Sequence, residues 1–155
     1  MFRKKVQKDI YRFTKSRNKQ GVEVNTLYNY KNEPVYRAYV TEEGQSESIY
    51  CFHNLHEKSR TAHTVGRITD SERHAKTFDF DGVDIWKRLS RRGITLRTTS
   101  VNEKRTVFRI FKHGVQSISV RMQTNKDDSK TMTIQSDEAD EKLLFLITFI
   151  LSQIF

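Results

Sequence analysis

The stretch CFHNLH sets Cys51, His53 and His56 within six residues, with His63 and His74 further on. A thiolate and two imidazoles are ligands that zinc accepts, and a thiol beside a histidine base is the pairing used in nucleophilic catalysis. On a strand, however, successive side chains point to opposite faces, so Cys51 and His53 share a face while His56 falls in the following turn. Cys51 is the only cysteine, and a metal site needs three or four ligands converging in space. Lying between Ile49 and Phe52, Cys51 is read as a small buried hydrophobe. DFDGVD, residues 79–84, lacks the further acidic ligand and closing glutamate of a calcium loop and is read as a turn. There is no GxxxxGK[ST], GxGxxG or HExxH. Catalytic residues, metal ligands and cofactors are therefore not expected, and the chain is read as a non-enzyme.

Cationic side chains form the other chemical group. The chain has 155 residues and a net charge of +9, and that charge is uneven. Residues 1–20 hold Arg3, Lys4, Lys5, Lys8, Arg12, Lys15, Arg17 and Lys19 against the single acid Asp9, whereas the remainder is close to neutral. WKRLSRRG adds Lys87, Arg88, Arg91 and Arg92 beside Trp86, and Arg97, Arg105 and Arg109 follow. Such clusters point to a local anionic partner. The expected partner is an anionic phospholipid surface, each Lys or Arg near it contributing about 1 kcal/mol, or an acidic protein. Nucleic acid is the second reading, through phosphate contacts with salt-dependent affinity. A solvated face holding ion pairs with Glu72 and Glu103 is the plain alternative for the second cluster.

The elements that must carry these residues follow from periodicity. In residues 1–20, Phe2, Val6, Ile10 and Phe13 stack on one face of a helix while Lys4, Lys8, Arg12 and Lys15 take another. A first strand using Tyr11 and Phe13, or a polar arm, reads equally well. From Gly21 the period becomes two: Val22, Val24, Thr26, Tyr28 and Tyr30 alternate with Glu23, Asn25, Leu27 and Asn29. Strands are expected over Val35 to Thr41, Ser48 to Asn54, Thr61 to Ile68 and Ala75 to Phe80. Val83, Trp86 and Leu89 suit a helical turn or two facing inward, which leaves Lys87, Arg88, Arg91 and Arg92 toward solvent. Alternation resumes at Ile94, Leu96 and Thr98, at Thr106, Phe108 and Ile110, at Ile118, Val120 and Met122, and at Met132 and Ile134. Turns at Asn32–Pro34, His113–Gly114 and Asn125–Ser129 separate them. Regular strands joined by Gly, Asn and Asp turns argue for an antiparallel meander, hence a barrel or sandwich.

The chain closes on KLLFLITFILSQIF, far more apolar than a mean hydropathy of −0.73 would suggest. Ser136 is a candidate N-cap, and Asp137, Glu138, Asp140 and Glu141 suit the positive end of a helix dipole. From Leu143 onward, ten of thirteen residues are Leu, Ile or Phe, so such a helix is apolar all round and must be enclosed. At about 1.5 Å per residue it spans roughly 20 Å, short of the ~30 Å of a bilayer core. Burial inside its own protein is expected over a tail anchor or a helix laid on a partner, with no transmembrane span.

Strands followed by a final SDEADEKLLFLITFILSQIF resemble, in layout, the tubby, LURP-one and phospholipid-scramblase superfamily. That resemblance implies a closed or nearly closed antiparallel β-barrel around a hydrophobic C-terminal helix, and association with membrane phospholipid headgroups in some members. Tubby's basic phosphoinositide pocket has no residue-by-residue match, so the resemblance assigns no site. The expected organisation is a basic arm over 1–20, which admits a short helix, and a single domain over 21–155 with its central helix at 137–155. One free cysteine and no signal-peptide pattern lead to a cytoplasmic expectation, peripheral at the membrane.

Overall fold

Two features govern how this chain folds: a series of β-forming segments broken by turn residues, and an apolar terminus that water cannot be allowed to reach. The computed structural model describes residues 9–44, 47–55, 63–70, 76–80, 83–138 and 140–154. Its strands are β1 (Asp9–Arg17), β2 (Glu23–Tyr28), β3 (Pro34–Glu43), β4 (Glu47–Asn54), β5 (His63–Asp70), β6 (Lys76–Phe80), β7 (Val83–Asp84), β8 (Ile94–Asn102), β9 (Arg105–Lys112), β10 (Val115–Thr124) and β11 (Lys130–Ser136). Helix α1 (Ile85–Arg91) lies between β7 and β8, and α2 (Glu141–Ile154) follows β11. Of the helix, strand and polar-arm readings of the basic segment, residues 9–17 take the strand. The strand expected from Thr61 begins at His63, and its first two positions lie outside the described residues.

All pairings are antiparallel, and the order is β7-β6-β5-β4-β3-β2-β1-β11-β10-β9-β8. Each neighbouring pair is consecutive in the chain except the middle one, where β1 lies against β11 with Asp9 opposite Ser136 and Lys15 opposite Lys130. The sheet is not closed: β7 and β8 are its edges, and among the described residues no ladder joins them. Helix α1 stands between those edges and packs on β6, β7 and β8. Its inward positions are Ile85 and Leu89, four apart and both buried; the side chains of Val83 and Trp86, expected inward, lie outside the described residues. The Asp84 carboxylate accepts from the Lys87 amide at 3.3 Å and caps the helix. At the α1–β8 junction Gly93 has a φ of 70°. That left-handed backbone favours glycine, and a Cβ there would also run into the His113 ring.

The sheet wraps α2. Leu143 to Leu151 are each at most 4% exposed on every side of the helix, which explains why an apolar stripe would not have sufficed. Phe145 packs on Phe13, Tyr36 and Phe52, and Phe149 meets Tyr50 and Phe52 edge-on with ring centroids 5.0 Å apart in each pair. The opposite side, Ile147, Ile150 and Leu151, faces Leu96 of β8 and Ile110 of β9. Two polar residues in this interior satisfy themselves: the Thr148 hydroxyl donates to the Leu144 and Phe145 carbonyls, and Ser152 to that of Phe149. No helix among the described residues is long and apolar enough to cross a membrane.

Both helix ends are met by charge. The helix starts at Glu141, not at 137, with Asp140 as its N-cap, accepting from the Leu143 amide at 3.2 Å. Ser136 belongs to β11, because the ladder with β1 and β10 runs through it. At the other end Lys15 and Lys130 donate to the Ser152 carbonyl at 3.3 and 2.9 Å, placing two cations on the negative pole of the dipole. Lys15 also lies 3.5 Å from the buried Glu23 carboxylate. Gln153 donates to that carboxylate at 3.1 Å and accepts from the Tyr50 hydroxyl at 3.1 Å. Asn25 donates to it at 3.0 Å. This cluster decides which face of β2 turns inward: Glu23, Asn25 and Leu27 point to the helix, and the Val24, Thr26 and Tyr28 face lines an outer groove.

Phe149→Ala should destabilise the protein by about 3–5 kcal/mol, read from urea unfolding, because the rings of Tyr50, Phe52 and Phe145 packed against it can only partly fill the space. Burial pushes the Glu23 carboxyl up, but Lys15 and the donors Asn25 and Gln153 outweigh that and hold it below its ordinary value of 4.5. Glu23 thus contributes stability above that pH, lost as pH falls through the lower folded value. The urea midpoint of Glu23→Gln should drop less between pH 6 and pH 3 than that of the wild type (about one group's worth of linkage).

Candidate anion-binding face

Alternation in the strands beyond the centre of the sheet sends apolar residues in and arginines out. In β9, Phe108 and Ile110 are buried against the core, which leaves Arg105, Val107 and Arg109 outside. In β10, Ile118, Val120 and Met122 point in and Ser119, Arg121 and Gln123 out. Arg97 of β8 and Arg12 of β1 are also exposed. No Asp or Glu occurs anywhere in β8, β9, β10 or β11.

Register gathers these cations. Arg97 stands directly opposite Arg109, a like-charge pair that cross-strand geometry makes unfavourable. Arg121 is opposite Val107, hence diagonal to both Arg105 and Arg109. Thr133 links Arg121 to Arg12 across β11. The Arg97 guanidinium lies 5.0 Å from the Phe111 ring centroid and that of Arg12 lies 4.2 Å from Tyr28, contacts that orient a cation without neutralising it. Arg12 also donates to Asn32 at 2.8 Å. Arg105, Arg109 and Arg121 make no ion pair or hydrogen bond with any described residue. Between them runs an open groove of about 490 Å³ whose walls also carry Ser119, Thr131 and Thr133. Free guanidiniums beside hydroxyl donors form a set that holds phosphate or carboxylate oxygens in forked hydrogen bonds.

The cations singled out in the sequence divide. Arg3, Lys4, Lys5 and Lys8 lie outside the described residues. Lys15 turns inward to the end of α2, and Arg17 donates to the Gly21 carbonyl at 2.7 Å and pairs with Glu43. Lys19 is exposed in the β1–β2 turn. On α1, Lys87 and Arg91 are exposed and Arg88 is half-buried, while Arg92 pairs with Asp140 at 3.7 Å. Arg121 was not singled out, although its place opposite Ile118, Val120 and Met122 marks it as outward.

Cys51 and His53 do share the outer face of β4. Their Sγ and Nε2 atoms are 3.4 Å apart, and the same Nε2 lies 2.9 Å from the Tyr39 hydroxyl. Cys51 is 9% exposed, which leaves a substrate little access to the sulfur. His56 lies outside the described residues. Among the described residues no three His, Cys, Asp or Glu side chains are placed to hold a metal ion. Comparison with protein-family models, curated proteins and solved structures gives no match to this chain.

Arg109→Thr should raise stability by about 0.2–1 kcal/mol in low salt by removing the repulsion with Arg97. The gain should shrink as salt screens the pair. Urea midpoints at two ionic strengths measure both effects.

Proposed function

We propose that this chain is a non-enzymatic binding protein that holds the phosphates of membrane phospholipid headgroups on its arginine face. The observation that carries the reading is a carboxylate-free set of four adjacent strands on which Arg97 and Arg109 oppose each other and Arg105, Arg109 and Arg121 have no partner among the described residues. A phosphate seated between them turns a repulsive arrangement into an attractive one. Headgroups are favoured over a soluble polyanion because apolar side chains flank the cations: Val101 beside the groove is 61% exposed, and Ile10 on the outer face of β1 is 53% exposed. Lys87 and Arg91 extend the positive surface onto α1. The layout of a wrapped C-terminal helix also supports the tubby, LURP-one and scramblase kinship, with the sheet read as a nearly closed barrel whose gap α1 occupies. The site of action is then the cytoplasmic face of a membrane.

At about 1 kcal/mol per cation such binding is reversible and salt-sensitive. Vesicle co-sedimentation should show binding to acidic but not to neutral phosphatidylcholine vesicles, abolished in Arg105→Glu/Arg109→Glu/Arg121→Glu. Equal binding to both vesicle types, or undiminished binding by the charge-reversed protein, removes the proposal. Tighter binding to RNA or DNA than to acidic vesicles, with affinity falling steeply with salt, replaces lipid by nucleic acid.

A further inference from the structure

Where the sheet fails to close, its interior is reachable. Helix α1 has only seven residues and bridges the edges with Ile85 and Leu89 alone buried among its described side chains. Between it and β8 lies a cavity of about 200 Å³. Leu89 and Leu96 form its walls, and Ile147 and Ile150 of α2 form its floor. The polar groups in the lining come from Ser90 and Thr95, both exposed, which places them at the mouth. An apolar cavity of ~150 Å³ stays dry and takes a benzene-sized hydrocarbon, so this one has room for a short alkyl segment and offers water few partners.

The mouth has chemistry of its own. Arg91 follows Ser90 on α1, and Arg97 lies two residues beyond Thr95 on the same outward side of β8, opposite Arg109. Arg92 is held by Asp140, while Arg91 has no partner among the described residues. A hydrocarbon pit therefore opens beside hydroxyl donors and at the border of the arginine face. We infer that the seam between α1 and β8 is a binding site for one hydrocarbon chain of an anionic amphiphile, with the chain end on Ile147 and Ile150 and the head at Ser90 and Thr95. The placement of the head rests on the headgroup reading above; the placement of the chain rests on the cavity alone.

The test uses the full chain with octan-1-ol, octyl phosphate and inorganic phosphate, followed by the methyl resonances of Ile147 and Ile150 and by thermal melting. Octanol should shift those methyls saturably, and inorganic phosphate should not. Octyl phosphate should bind about tenfold tighter than octanol. Leu96→Trp, at a half-buried wall position, and Ser90→Trp, at the exposed mouth, should each weaken octanol binding by about tenfold or more while still melting cooperatively. Arg105→Glu/Arg109→Glu should leave octanol binding intact. Failure of octanol to move the α2 methyls in the wild type, or unchanged binding in both tryptophan variants, overturns the chain site. Equal affinity for octanol and octyl phosphate keeps the chain site and overturns the placement of the head.

Discussion

A helix with Leu, Ile or Phe at nine of its last twelve positions has no side it can present to water, and the rest of the molecule is organised by that constraint. A stripe of contact, as on an amphipathic helix, would leave much of the apolar surface wet. Strands on both sides must therefore contribute. Phe13, Tyr36, Tyr50 and Phe52 cover one side, and Leu96 and Ile110 cover the other. Because the core is reserved for this helix, charged residues are driven to the outer face or the ends of the sheet. The crowd of outward arginines on β8 to β10 follows from the same inward demand.

Burying the end of a helix requires partners for its last carbonyls. Here Lys15 and Lys130, opposite each other on β1 and β11, share the carbonyl of Ser152. Two lysines in register would ordinarily repel. The helix dipole and the buried Glu23 carboxylate offset that repulsion, and Gln153 with Tyr50 ties the carboxylate to α2. Polar side chains in this part of the interior thus fix where the helix stops. One of the cations counted toward a basic arm is in fact part of the core's closure.

The strands, their turns and the enclosed terminus were legible because each leaves a local trace: alternation, turn residues and an all-round apolar run. Position in the sheet was not. Alternation defines two faces of β2 without saying which is inside, and the β-branched one lies outside because Glu23 and Asn25 are needed at the helix end. The basic segment carried helical and strand periodicities together; pairing with β11, far along the chain, decides for the strand. Ser136, the candidate cap, was excluded by its place in a ladder, and Asp140, read as one of the acids favouring the dipole, takes the cap instead. For the arginine face, the in-and-out pattern of β9 and β10 was readable. That Arg97 meets Arg109, and that Thr133 bridges Arg121 to Arg12, follows from register, which single strands do not encode.

The pairing of β1 with β11 has a temporal meaning. Strand β1 leaves the ribosome early, yet one of its two neighbours is made only after nine other strands have emerged, and the helix that covers its Tyr11 and Phe13 comes later still. Until then both halves of the sheet expose an unpaired margin and a greasy inner surface, the features that favour off-pathway association in slow, non-local β topologies. Without α2 the rings of Phe13, Tyr50 and Phe52 have nothing to pack on, so loss of that segment removes the core instead of weakening it, and the exposed strand margins become sites for association.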